Sequence, residues 1–382
     1  MQIFEDIRPF KDDEYKEVIK ELFEVDPLMD AVQNYLPELT LDEIKALLIS
    51  FNGIQDFQSN MVCRVIQSSI DSSMDHFTHD GVLELDKNSS YLFVTNHRDI
   101  VLDSALVNFC LNDEKYDTCE IAIGSNLLGE PWIEKLVKLN KSFIVKRNLS
   151  RQEMLEASKV LSSYIDYTLK QKKQSIWIAQ REGRAKDGFD KTNPGVLKMF
   201  GMANDGDLLD HLISLNIVPV SLSYEFDPCD DMKIPELLMK SEGKEYIKYD
   251  GEDERSMLLG IMGQKGNVHI QFGEPINKEI EQFRDIKNKN QLLKSIAEVI
   301  DRRIYQNYRL WNSNYVAYDL LHSSNKYVDH YSDNGKEKFI EYMNKKLERF
   351  EGNEQATKLF LQMYANPVLN AESVYESNDS KN

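Results

Sequence analysis

His97, in the segment "TNHRDIVLD", follows a short apolar run and precedes a helical pattern, the usual place for an exposed catalytic side chain. A neutral imidazole there can take a proton from a hydroxyl, while a nearby carboxylate fixes its tautomer and stabilises the imidazolium that forms. Asp99 and Asp103 are the two carboxylates within reach along the chain. Asp99 also reads as the N-cap of the following helix, and a histidine bonded only to backbone would suit the same site. The triplet His-Arg-Asp occurs in protein-kinase catalytic loops too, where an Asn follows five residues after the Asp. Ser104 holds that position here, no G-x-G-x-x-G precedes Tyr91, and Asp-Phe-Gly is absent from the chain, so the kinase reading fails.

Three further segments place polar groups where an apolar run meets a loop. "SFIVKR" ends in Lys146 and Arg147, which together suit a phosphate: the guanidinium by paired hydrogen bonds, the ammonium as a point charge. "REGRAKDG" follows the apolar "SIWIA" and supplies a carboxylate (Glu182), a hinge (Gly183) and two cations (Arg184 and Lys186). Glu182 suits an acceptor hydroxyl and the two cations an anion, although charged turns of this kind are often simply solvated. In "IVPVSLSY", Pro219 inside an apolar strand implies an edge or a bulge.

The elements that must hold these side chains can be read from periodicity. Residues 1–85 read as a helical bundle, with Thr40 and Glu43 as a capping box in "TLDEIKALLISF" and a 3.6-residue period through "QSNMVCRVIQSSIDSSMDHF". From 86 to 280 strands alternate with helices: "SYLFVTNH", "CEIAIGS", "KSFIVKR", "SIWIA", "IVPVSLSYE" and "NVHIQFGEPI" are the strands, and Pro131 opens one of the helices between them. Such alternation predicts an α/β domain with a largely parallel sheet flanked by helices, its chemistry in the loops at the strands' C-terminal ends. Residues 281–382 read as a helical extension rich in aromatics, best explained as packing, with a frayed tail at "ESVYESNDSKN".

Composition narrows the setting. Charged residues form 29% and hydrophobic residues 41% of the 382, as in a soluble globular protein. The formal net charge of -18 argues against nucleic-acid binding. The start, "MQIFEDIRPFKDDEY", mixes acids with apolar residues and is expected to be no secretory signal. No apolar run approaches the roughly 20 residues of a bilayer span. The cysteines (63, 110, 119 and 229) lack metal-type spacing and are expected to be buried, reduced thiols of a cytoplasmic protein.

In order and spacing, the four segments resemble the four motif blocks of the glycerol-phosphate acyltransferase family, which includes glycerol-3-phosphate and lysophosphatidic acid acyltransferases. "NHRDIVLD" is similar to its N-H-x-x-x-x-D block, "FIVKR" to F-I-x-R, "EGRAKDG" to E-G-x-R-S-R and "IVPVSLSY" to V-P-V. The resemblance covers residues 86–280. It departs in two places: five residues separate His97 from Asp103 where the family has four, so that Leu102 fills the expected position, and the third block is one residue short, with Ala185 where Ser is usual.

The resemblance implies that His97, oriented by Asp103 (or by Asp99 if the extra residue misplaces it), removes a proton from an acceptor hydroxyl. The oxygen then attacks the thioester of acyl-CoA or acyl-carrier protein, with no acyl-enzyme and no metal or cofactor. Lys146, Arg147, Arg184 and Lys186 would hold the acceptor's phosphate, Glu182 its hydroxyl, and Gly183 the turn between them. The absence of G-x-S-x-G agrees with direct transfer. Glycerol 3-phosphate or 1-acylglycerol 3-phosphate is the implied acceptor, with peripheral contact to the inner membrane face. A lyso-aminolipid acceptor and an inactive lipid-binding relative are the alternatives.

Overall fold

The six apolar runs of the central segment, joined by one strand that precedes them, pair into a seven-stranded sheet in the computed structural model, which describes residues 2–379. Its strands are β1 (Met74–Asp80), β2 (Leu92–Thr95), β3 (Glu120–Gly124), β4 (Ser142–Val145), β5 (Ile176–Ala179), β6 (Ile217–Tyr224) and β7 (Gly266–Phe272), in the order β1-β7-β6-β2-β5-β3-β4. Every neighbouring pair is parallel except β6 with β7. All four residues of β2 are buried, as are the first seven of β6, because helices cover both faces. That double cover is why these strands read as unbroken apolar runs rather than alternating ones.

Ahead of the sheet lie α1 (Tyr15–Leu22), α2 (Asp26–Tyr35), α3 (Leu41–Ser50), α4 (Ile54–Phe57) and α5 (Cys63–Ser73). The capping box is made: the Thr40 hydroxyl accepts from the Glu43 amide, and the Glu43 carboxylate accepts from the Thr40 amide at 2.8 Å. Tyr15, Leu22, Ile44, Leu48 and Phe57 form this bundle's own core. One expectation needs correction. Met74–Asp80, inside the stretch read as wholly helical, is β1. Its pattern "MDHFTHD" has too few apolar residues to signal a strand, since it lies at the sheet edge and most of its side chains are at least partly exposed.

The strands are linked by α6 (Leu102–Asp113), α7 (Pro131–Leu139), α8 (Arg151–Lys170), α9 (Pro194–Phe200), α10 (Leu208–Ser214), α11 (Asp230–Ser241) and α12 (Glu252–Met262). Leu102, Leu106 and Cys110 of α6 cover Phe93, Trp177 and Val218 on one face. The other face, with Leu92, Val94 and Ile178, meets α8 to α10. Then follow α13 (Asn277–Ile280), α14 (Lys289–Gln306), α15 (Asn312–His322), α16 (Asp333–Leu347) and α17 (Glu354–Asp379). The aromatics here are largely packed: Phe339, Phe360 and Tyr364 are buried together in a cluster reaching Ile234 of α11. Helix α14 is part of the main core, its Ile296, Ile300 and Ile304 being fully buried beside the sheet. Of the tail read as frayed, residues up to Asp379 belong to α17 and the remainder lies outside the described residues.

Pro219 also corrects an expectation. Strand β6 lies in the sheet interior, between β7 and β2, and its pairing with β7 runs without a register shift. The ladder with β7 ends at Val220 opposite Phe272, so the missing N–H falls just beyond it. Gly273 there donates its amide to the Pro219 carbonyl at 3.0 Å. A Cβ on Gly273 would lie 2.8 Å from that carbonyl oxygen, so glycine permits the close approach.

Candidate active site

Strand β2 delivers its chemistry through two anchored residues. Asn96 is buried and clamps β6, its Nδ2 donating to the Leu222 carbonyl at 3.0 Å and its Oδ1 accepting from the Leu222 amide at 2.8 Å. His97 follows, with its side chain 14% exposed. Nδ1 of His97 stands 2.8 Å from Oδ2 of Asp103, which is fully buried on the first turn of α6. The same oxygen accepts from the amides of Arg98 at 2.6 Å and Asp99 at 3.0 Å, and Oδ1 accepts from the Tyr224 hydroxyl at 2.9 Å. A carboxylate at Nδ1 assigns that nitrogen the proton and leaves Nε2, the proton acceptor, without a hydrogen bond among the described residues. The His97 ring meets Trp177 edge-on, centroids 5.8 Å apart.

Asp99 takes the other role. Its Oδ1 accepts from the amides of Val101 at 2.9 Å and Leu102 at 2.8 Å, closing the open start of α6. Burial and the neighbouring Asp103 charge push its carboxyl above the ordinary range. The extra residue between His97 and Asp103 is taken up in the non-helical stretch before Leu102, so the imidazole and carboxylate still meet.

The loop after β5 latches onto this loop. Ala185 donates its amide to the His97 carbonyl at 2.9 Å, and Arg98 Nη1 donates to the Ala185 carbonyl at 3.3 Å. Arg98 is itself anchored by a 2.5 Å ion pair to buried Asp190, which also accepts from Tyr308. Gly183 turns in the left-handed region at φ +70°, as a hinge there requires.

The expected anion-binding residues divide. Arg147 leaves the edge strand β4 and pairs with exposed Glu182 at 2.9 Å. Arg184 donates to the Ser256 hydroxyl of α12 at 2.7 Å and has no carboxylate partner among the described residues. Lys146 points to Asp6 at 3.4 Å on the outer edge. Lys186 is ion-paired to Glu236, and burial lowers its pKa. The four cations therefore do not form one free cluster, and Glu182 is engaged with one of them. Ligand atoms of His79, Asp113 and Glu114 lie within 4.8 Å of one another, but at the far end of α6 from His97.

Three contributors carried no sequence signal. Tyr224 closes the fourth block without belonging to its pattern. Arg98 serves as a latch. Helix α12 roofs the site, with Ser256 on Arg184 and Gly260 so close to Asp99 that a Cβ would fall 2.0 Å from Oδ2.

A histidine–carboxylate pair at the mouths of parallel strands, with Nε2 open, has the geometry to take a proton from a hydroxyl. Residues 76–223 match the family model described as Acyltransferase, a span that holds the first three blocks and the fourth as far as Ser223. The chain carries an acyltransferase domain there. The chain is also similar to the crystal structure of the 1-acyl-sn-glycerophosphate (LPA) acyltransferase PlsC from Thermotoga maritima, at 12% identity and a TM-score of 0.36 over 75% of this chain and 92% of that one, a much looser likeness. No curated protein matches.

Proposed function

We propose that the enzyme moves a fatty acyl group from the thioester of acyl-CoA or acyl-carrier protein to a hydroxyl of glycerol 3-phosphate or 1-acylglycerol 3-phosphate. The observation that carries this reading is the His97–Asp103 pair at 2.8 Å with Nε2 left open. Nε2 takes the acceptor's hydroxyl proton as its oxygen bonds to the thioester carbon. Asp103 steadies the imidazolium, the carbon–sulfur bond breaks, and the proton passes to the departing thiolate. Arg184 and Arg147 supply the positive charge for the acceptor's phosphate. The acyl donor and acceptor bind as substrates, and the scheme needs no cofactor from the protein.

A second reading has its own support. With Arg147 on Glu182, Lys146 on Asp6 and Lys186 on Glu236, most of the local positive charge is already neutralised, which favours a weakly charged acceptor such as a lyso-aminolipid. No helix among the described residues is long and apolar enough to cross a membrane; peripheral contact with the inner membrane face is part of the proposal. The test offers glycerol 3-phosphate, 1-acylglycerol 3-phosphate and a lyso-aminolipid with labelled acyl-CoA and acyl-carrier protein. Turnover with a phosphorylated acceptor, abolished in His97→Ala, is expected; equal turnover by that variant would overturn the proposal.

A further inference from the structure

We propose that Tyr224 is a positioning residue of the acyl-transfer site, locking the Asp103 carboxylate so that His97 presents Nε2 to the acceptor. This rests on the general-base reading given above. Three donors converge on one carboxylate oxygen: His97 Nδ1 and the amides of Arg98 and Asp99. A carboxylate can still pivot about its Cβ–Cγ bond, and those three contacts alone leave its plane free to tilt. The Tyr224 hydroxyl, 2.9 Å from Oδ1, fixes the second oxygen and with it the plane.

Tyr224 is itself held. It is the last residue of β6, paired with Val268 of β7, and two positions earlier Leu222 is clamped through both its amide and its carbonyl by Asn96. Burial and the Asp103 charge raise the phenol far above its ordinary value, so it remains a donor at any working pH. By accepting that bond, Oδ1 shares its charge with the phenol, and Asp103 holds the imidazolium less tightly than an unshared carboxylate would.

The remaining charges nearby are Arg98 against Asp103, Asp99 and Asp227 facing Tyr224, and, one step further out, Arg184 from the third block and Lys265 before β7, both facing Asp99. None of them changes in Tyr224→Phe, which removes one hydroxyl and keeps the ring.

The experiment compares wild type, Tyr224→Phe, Asp103→Asn and the double variant, with melting temperatures confirming the fold. Tyr224→Phe is expected to lower kcat about tenfold with KM little changed and to move the acid limb of kcat/KM upward. In the Asp103→Asn background the same substitution is expected to change kcat less than twofold, because its target is gone. The Nδ1 proton of His97, followed by NMR without substrate, is expected to change its chemical shift in Tyr224→Phe, because the carboxylate it faces is no longer fixed at Oδ1. An unmoved His97 Nδ1-proton resonance, or an equal kcat loss in both backgrounds, would overturn the proposal. The NMR arm stands even if no acceptor turns over, which separates failure of this inference from failure of the acyl-transfer reading.

Discussion

His97 and Asp103, six positions apart in the chain, meet through Nδ1 and Oδ2 at 2.8 Å. The loop between them is one residue longer than in the four-block pattern, and the contact survives because His97 lies outside α6 while Asp103 lies on its first turn. Non-helical backbone before Leu102 absorbs the difference, and Asp99 fastens it by capping the helix.

That geometry sets the first prediction. His97→Ala should lower kcat by about a thousandfold or more, and Asp103→Asn by about a hundred- to ten-thousandfold, by analogy with other base–carboxylate pairs. Steady-state rates with labelled acyl donor measure both, and circular dichroism confirms that the fold persists. Asp99→Asn should keep most activity, since an Asn side chain also caps a helix.

Arg184, which has no carboxylate partner among the described residues, should act mainly on acceptor binding. Arg184→Ala is expected to raise KM for a phosphorylated acceptor about ten- to a hundredfold and to leave KM for the acyl donor unchanged. Glu182→Gln releases Arg147 from its ion pair and should lower KM for the same acceptor if that guanidinium then meets the phosphate.

Gly260 tests the roof. A Cβ there would fall 2.0 Å from the Asp99 carboxylate, whose other oxygen is held by the Val101 and Leu102 amides. Gly260→Ala should destabilise the fold by about 1–3 kcal/mol and reduce kcat by disturbing the loop that carries His97. Chemical denaturation and rate measurements read the two effects separately.

Lys265 predicts a pH dependence. It is fully buried, donates to the Ser73 hydroxyl and to the Ile261 and Gly263 carbonyls at the end of α12, and burial lowers its pKa from 10.5 to about 8. Below about pH 8 folded and unfolded chains both carry the proton; between there and 10.5 the unfolded chain binds more of it. Stability from this group therefore rises with pH across that window, by up to about 1.4 kcal/mol per unit. The unfolding free energy of wild type relative to Lys265→Met should climb from pH 8 to 10. A flat difference would refute it.

Much of the fold was legible because its signals are local. Each buried parallel strand is a short apolar run bounded by polar turns, and Thr40 with Glu43 marks a helix start by two side chains three positions apart. The edge strand β1 was missed for the converse reason: with one neighbour and much of its length exposed, "MDHFTHD" has no apolar period to read. Pro219 misled because its missing amide matters only where a partner strand continues, and β7 ends beside it.

The chain's own order of residues determined the alternation of strands and helices, the four polar strand ends, and a histidine with two candidate carboxylates. Tertiary structure alone decided which carboxylate faces the ring, which cations are consumed by acids elsewhere, and that a phenol 121 positions from Asp103 completes the pair. The reason is physical. Helix and strand patterns repeat over two to four residues and are written in any short window, whereas a hydrogen bond between the ends of β6 and α6 depends on how the sheet sets their spacing, and no nearby residue encodes it.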